Sequence, residues 1–433
     1  MLTYAHSHQE VIETIDTCGR AKTVSEESLG SQLCPFSITN FEHGEPWADY
    51  EALLKQSPIH WDAKLDGWAV LDFEICSDIE IDEGKYGIPF PNPASQTIID
   101  IKGGRGISVL SGDEHRMRRK FFMTLFTPQN VKSYTEHHIV PVLNFLMDRM
   151  LSKGTGRAEL TKEFGDQVPP RVIAALLGIQ WKNDELVQRI HDLHDELMMI
   201  MGDGFRSEAL LKRGLVVSKE INDMLLPFIR ERRDNPQNDL ISRLWIEAPK
   251  YLGDVLETDV LSMARDLFIA GADTTVHGIA NVLYLVLTNP DIREAVEARR
   301  DEVFSIAVEE AMRLFGSVMY RYRMANQDCE LGGQKIAKGD LLILFHSAAN
   351  RDPSKYSCPH SADLTRKRAS DHLAFNKGPR RCVGSGLAIA EMVEALRIVL
   401  DRMPNVRLDP DTEPPAFDGL FIRSWRPLNV VFD

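Results

Sequence analysis

Residues 375–384, Phe-Asn-Lys-Gly-Pro-Arg-Arg-Cys-Val-Gly, restrict this chain more than any other stretch of it. Gly378 and Gly384 bracket Cys382, Arg380 and Arg381 precede it, and an apolar run with helical spacing follows (Leu387, Ala388, Ala390, Met392, Val393, Leu396, Val399, Leu400). The glycines make the loop tight. The arginines, and the N–H groups opening the next helix, lower a thiol's pKa. A thiolate is the expected state of Cys382, and such a sulfur is a good soft ligand for iron. A lone cysteine in an intracellular protein is usually buried and inert. The full spacing F-x-x-G-x-R-x-C-x-G, however, arises by chance on the order of once in 10⁴ chains of this length.

At 433 residues the chain exceeds the usual single core, so its length admits two or three domains or one large unit. A net charge of −14 argues against a general nucleic-acid binder. Its cysteines (Cys18, Cys34, Cys76, Cys329, Cys358, Cys382) are scattered, with no C-x-x-C pair, which fits a reducing compartment and neither a disulfide scaffold nor a zinc site. Residues 1–22 lack the apolar core of a signal peptide and the longer run of a membrane anchor, so a soluble, cytoplasmic protein is expected.

Residues 1–34 are polar and weakly patterned and read as an N-terminal extension, with residues 35–433 as one unit. Trp47–Leu54 has helical spacing, and Ile59–Trp61 with Trp68–Leu71 reads as a hairpin closed near Asp66-Gly67. Between Gly84 and Gly106, prolines and glycines rule out a long helix or central strand. Gly112–Phe122 is a helix with acids first and bases later, which places His115 and Arg119 on one face. On its own that face is an ordinary solvated one. Residues 135–289 read as almost continuous helix, broken at Lys153-Gly154, Pro169-Pro170, Gly202-Asp203-Gly204 and Asn235-Pro236. Asp259–Leu287 has the pattern of a helix crossing an interior. At its middle, Ala270-Gly271-Ala272-Asp273-Thr274-Thr275 predicts a local bulge. Gly271 and Ala272 there let a flat ligand approach the backbone, and Asp273 with Thr274 offers a hydrogen-bond path for protons. Asp266 lies near the Thr274 face and is expected either to be neutralised locally beside Arg265 or to meet a substrate.

These stretches, in this order, resemble the cytochrome P-450 superfamily of haem-thiolate monooxygenases, soluble bacterial type. The resemblance runs from about Pro46 and rests on five motifs: Glu114-His115 with Arg119 and Phe126-Thr127-Pro128; Ala270–Thr275; Glu310-Ala311-Met312-Arg313; Arg323 through Asp363–Arg366; and the Cys382 loop. It implies a mainly α fold with small β sheets and a long central helix over haem. Cys382 becomes the axial ligand of haem b, with Phe375 and Gly271 beside the cofactor and His115, Arg119, Arg323 and Arg380 as cationic propionate partners. Asp273 and Thr274 deliver protons, and Glu310, Arg313 and Arg366 form a buried structural ion network. Substrate contacts fall to Ile88, Phe90, Met198, Asp266, Ile269, Ala270, Val318, Leu420 and Phe421. Two positions depart from the usual pattern: Asn376 stands where many relatives have Gly, a position Asn tolerates, and Arg380 where many bacterial relatives have His.

The implied activity is insertion of one oxygen atom from O2 into a mostly apolar small molecule, by hydroxylation or oxidative demethylation. With no dinucleotide fingerprint and no cluster-binding cysteines, electrons must come from a ferredoxin or flavodoxin-type donor with its NAD(P)H reductase. Arg116, Arg118, Lys120, Lys367, Arg368, Lys377 and Arg381 are expected to form its docking face. No nucleic acid or membrane anchor is expected, and a monomer is expected. A haem-thiolate sensor or a peroxide-using relative are the competing readings, disfavoured by the intact Asp273-Thr274 pair.

Overall fold

The computed structural model describes residues 14–15, 21–22, 44–89, 95–202, 207–419 and 421–433. Of the extension read over residues 1–34, only the pairing of Thr14–Ile15 with Ala21–Lys22 falls among them; Phe90 and Leu420 lie outside. Helices dominate, and the strands gather in small sheets.

The largest sheet runs in the order Ile59–Asp62, Gly67–Val70, Leu341–Leu344, Arg321–Ala325, Tyr86–Gly87. Its first two strands are the expected hairpin, closed where Asp66 takes a left-handed φ of 48°, a conformation Asp adopts more readily than most residues. Leu341–Leu344 pairs parallel to Gly67–Val70 and antiparallel to Arg321–Ala325. A Cβ on Gly67 would stand 3.1 Å from the Leu341 carbonyl oxygen, so glycine permits this close approach. The broken Gly84–Gly106 stretch supplies the edge strand and a short helix, Gln96–Lys102, which Ser95 caps and Gly103 ends at φ 82°.

Residues 135–289 are less continuous than their periodicity predicts. Arg157–Glu159 is a strand paired with Asn429–Val431. Pro169-Pro170 opens the helix Val168–Leu176 where a break was expected, because first-turn N–H groups have no intrahelical acceptor to lose. The expected interior helix is two, Glu257–Ala272 and Thr274–Thr288, with Asp273 between them at φ −119°. Val168–Leu176 and Glu208–Asp234 pack on the first half, and Pro290–Leu314 and Ser385–Arg402 on the second. One buried cluster joins side chains from Trp47 to Val430 around these helices, and a smaller one, from Ile59 to Leu373, lies under the sheet. The thiol loop enters between the two.

Candidate active site

Two left-handed residues shape the loop, Asn376 at φ 58° and Gly378 at φ 61°. The Cys382 N–H donates to the Phe375 carbonyl at 2.8 Å, closing the turn on itself. Lys377 N–H donates to Glu80 Oε2 at 2.6 Å, and a Cβ on Gly378 would stand 2.9 Å from the Glu80 carbonyl oxygen and from Ile81 Cα. The loop is thus pressed onto the end of the Phe73–Ile81 helix. Behind it lies the expected ion network: Arg313 donates to both Glu310 oxygens at 2.8 and 2.9 Å, and Arg366 Nε to Oε1 at 3.0 Å. Glu310 and Arg313 are fully buried, and Arg313 also donates to the carbonyls of Asn350, Pro359 and Ser361.

Cys382 is accessible, yet burial pushes its thiol up, outweighing the Gly384 N–H on its sulfur and the charges of Arg321, Arg119 and Arg381. The thiol therefore faces an opening walled by protein, accessible without being bathed in bulk water. This corrects the expectation of a ready-made thiolate. Taking the ionised form out of water costs more than these neighbours return, so a cation bound to the sulfur has to complete its deprotonation.

The four expected propionate partners converge, with carboxylates among them. Arg323 pairs with Glu80 at 3.1 Å, and Arg380 with Glu83 at 2.5 Å. Arg119 feels the charges of Cys382 and Glu83. His115 is buried 3.8 Å from Glu83, its Nδ1 without a hydrogen bond. Burial, with Arg380 next, pulls its pKa down to about 4, so it is a neutral imidazole at pH 7 and not the expected cation. Glu80 is ionised despite its burial, drawn down to about 2 by His346, Arg323 and the Lys377 N–H. Sequence reasoning missed Arg321, whose signal was its place two residues before Arg323 on one strand face. Burial draws Arg321 down to about 10, and the charges of Glu80 and Cys382 act on it. Arg119, Arg321, Arg323 and Arg380 thus outnumber Glu80 and Glu83 by two positive charges. Two is the charge of the propionates of haem b, so the residues present fit that group.

On the central helix, Ala270 is exposed although both halves of the helix are otherwise mostly buried. Thr274 Oγ1 donates to the Ala270 carbonyl at 3.1 Å, the kind of back-bond that bends a helix. Gly271 does something other than expected. A Cβ on it would stand 3.1 Å from Ile173 Cδ1, so its size admits the Val168–Leu176 helix, and the open face belongs to Ala270. Asp273 is 2% exposed; burial opposes its charge, but His277, then His194 and His191, hold it below the usual carboxylate range.

The substrate candidates separate. Asp266 Oδ2 accepts the Ile107 N–H at 2.7 Å and lies against Gly106, which ties the Gly103–Ile107 segment to the central helix. Burial lifts its pKa to about 6, against the pull of that bond and of Arg118 and Lys102. Its carboxylate is already committed, which corrects the substrate-facing alternative. Arg265 acts on it only through its charge and donates its hydrogen bonds to Ser218, Asn222 and the Ile101 carbonyl. Phe421 packs edge-on to Tyr320 at 5.1 Å, with the Arg321 guanidinium 5.9 Å from its ring. Val318 is buried and bridges to Ile422. Ile269 and Met198 are half-buried against the core, and Ile88 is buried beside a small cleft shared with Arg380 and Ser111. Of the expected docking cations, Arg118 is buried near Asp259 and Lys377 pairs with Asp371 at 3.4 Å. Lys120, Lys367, Arg368 and Arg381 are exposed.

The family model described as Cytochrome P450 matches residues 69–430. The chain is 27% identical to pulcherriminic acid synthase of Bacillus subtilis, over 92% of this chain and 98% of that protein. It is 30% identical to mycinamicin IV hydroxylase/epoxidase of Micromonospora griseorubida, over 77% of this chain and 80% of that one. Among solved structures, P450BioI in complex with an acyl carrier protein ligated by hexadec-9Z-enoic acid superposes with a TM-score of 0.79 at 27% identity, covering 90% of this chain and 99% of that one. An accessible thiol on a braced loop, two unpaired positive charges beside it and a kinked helix with a hydroxyl at its bend agree with a match over most of the sequence, and the chain belongs to the cytochrome P450 family.

Proposed function

We propose that residues 35–433 act as one haem-thiolate monooxygenase unit in which the Cys382 sulfur would hold the haem iron, acting on a mostly apolar small molecule by hydroxylation or oxidative demethylation. Haem b, when bound, supplies the activation of O2 and the insertion of one of its atoms into the substrate. The observation that carries this reading is the accessible Cys382 thiol beside two uncompensated positive charges. Phe375 closes the loop through its carbonyl, and the Glu310–Arg313–Arg366 network braces the segment behind it.

Arg119, Arg321, Arg323 and Arg380 bind the propionates, and neutral His115 offers one an N–H. The Thr274 hydroxyl hands a proton to the oxygen side of the site, and Asp273 supplies it from the protein side. Phe421, backed by the buried Tyr320, and Ala270 present an apolar wall that orients the substrate and excludes water. Phe90 and Leu420 are proposed to complete it. Electrons come from a ferredoxin or flavodoxin-type donor with its NAD(P)H reductase, steered by the exposed Lys120, Lys367, Arg368 and Arg381, which make no ion pair among the described residues. None of the described helices is long and apolar enough to cross a membrane; a cytoplasmic monomer is proposed.

The test is the reduced protein's carbon monoxide complex. Wild type should show the red-shifted Soret band of thiolate ligation. Cys382→Ser should lose both that band and turnover to the detection floor, and retention of the band would overturn the assignment.

A further inference from the structure

Behind the kink of the central helix, three side chains converge without satisfying one another. His191 and Asp195 stand one turn apart on the helix Asp184–Gly202, facing Asp273, and one donor atom from each of the three lies within 4.8 Å of the others. His191 Nδ1 is 3.9 Å from Asp195 Oδ1, and Asp273 Oδ1 is 3.6 Å from His277 Nε2. Both spacings are too long for a hydrogen bond. Asp273 is 2% exposed, and its Oδ1 and His191 Nδ1 are both buried without a hydrogen-bond partner. Buried polar atoms are rarely left so. Both belong to residues whose donor atoms come within 4.8 Å of one another, and a bound ion there would satisfy them.

The donor set narrows what that occupant is. The set is two carboxylates with one imidazole, so its acids bring up to two negative charges. A divalent cation offsets both charges. Ligands about 2.0–2.2 Å from a tetrahedral ion stand roughly 3.3–3.6 Å from each other, so a small side-chain closure brings these three donors, which lie within 4.8 Å of one another, onto one ion. An imidazole among the donors favours zinc-class ions over Mg2+ or Ca2+, which prefer all-oxygen shells. His194 is excluded as a ligand, because its two ring nitrogens face the carbonyls of Ile190 at 2.7 Å and Phe268 at 3.1 Å. His277, fixed through Nδ1 by Ser424 Oγ at 2.8 Å, holds Asp273 from behind. His191 lines an open cleft of about 1250 Å³ that takes in Asp166 and Asp192, and Asp195 is itself exposed, so two of the three ligands are reachable from solvent.

We propose that His191, Asp195 and Asp273 form a zinc-class divalent-cation site, and that its occupation withdraws Asp273 from proton transfer, making the ion a brake on the monooxygenase. The site stands on its own geometry; the brake rests on the proton-delivery role proposed above.

The test uses haem-loaded protein stripped with a chelator and dialysed against Zn2+ with metal analysis of both compartments. One equivalent should bind, excess Mg2+ should not displace it, and His191→Gln or Asp195→Asn should each weaken binding by at least ~10-fold. Each variant is first checked for the thiolate carbon monoxide band, so that misfolding is not read as lost affinity. Bound zinc should also divert electrons from product to hydrogen peroxide, with the ratio of zinc-treated to zinc-free coupling returning toward one in both variants. Equal zinc affinity in wild type and variants, or no retention of zinc because water fills the gap, overturns the site. Zinc binding that the variants abolish but that leaves coupling unchanged overturns the brake and the proton role of Asp273, and keeps the site.

Discussion

The two sides of the thiol pocket are built to opposite rules. On the thiol side the brace is a dense set of charge-assisted and backbone bonds: Glu310 receives two arginines and the Asp363 N–H, Glu80 takes Arg323 and the Lys377 N–H, and Cys382 is tied by backbone to Phe375, although single atoms such as His115 Nδ1, Asn376 Oδ1 and Arg366 Nη2 stay without a hydrogen bond. On the helix side the break at Asp273 leaves groups idle, with Ala270 open, Thr274 bonded only to its own helix, and Asp273 Oδ1 and His191 Nδ1 unpartnered. A ligand mount must keep one geometry, whereas a proton donor must change partners during each turnover. Dense charge-assisted bonding suits the first and spare bonding capacity the second.

If that contrast holds, damage to the first side appears as lost haem and lost stability, and damage to the second as misdirected electrons in a well-folded protein. The largest effect belongs to Glu310→Ala, which leaves the fully buried Arg313 without its counter-ion and Arg366 with only Asp363, at 4.0 Å. A loss of about 3–5 kcal/mol is expected, read from the denaturant midpoint together with haem content. A midpoint near wild type would show that the thiol side is not the braced one. Next comes Thr274→Ala, for which product per electron should fall on the order of 10²-fold, with hydrogen peroxide making up the electron balance and the denaturant midpoint unmoved. Unchanged coupling would remove the hydroxyl from the proton path.

Gly378→Ala should be smaller. An alanine held at φ 61° costs about 1–2 kcal/mol, and its Cβ also pushes on the helix end at Ile81. Thermal melting and haem retention should both drop, while coupling in the fraction that keeps haem stays at the wild-type value; a coupling defect would blur the division between the two sides. The smallest effect is electrostatic. Reversing Lys367 and Arg368 to Glu should slow reduction by the partner a few-fold at low salt, with the difference vanishing at ~1 M, where charges are screened within about 3 Å. A salt-independent rate would remove these residues from the docking face.

Much of this site is legible in the residues because its parts are local. The left-handed turn at Asn376, the Asp66-Gly67 hairpin, the Glu310–Arg313 spacing and the kink at Asp273 each depend on neighbours within a few positions, where covalent geometry and helical period dictate the outcome. The errors came where one element meets another. Gly271 was read as a platform for a flat ligand, and its missing Cβ instead receives Ile173. Asp266 was placed between Arg265 and a substrate, and it holds the Ile107 N–H. Arg118 was counted on the surface and lies buried.

The sequence by itself determined the family, the ligand cysteine, the central helix and its bend, because short-range spacing encodes backbone shape and residue chemistry directly. Tertiary structure alone decided the charge state and the company of these groups. Glu80, at the end of the Phe73–Ile81 helix, and Glu83, in the turn after it, enter the cation cluster from some three hundred residues earlier in the chain than the thiol loop. Burial makes His115 neutral and raises the Cys382 thiol, and His191 and Asp195 reach Asp273 from another helix. Desolvation and Coulomb interaction depend on distance through space and on exclusion of water, and neither quantity exists until the chain has packed.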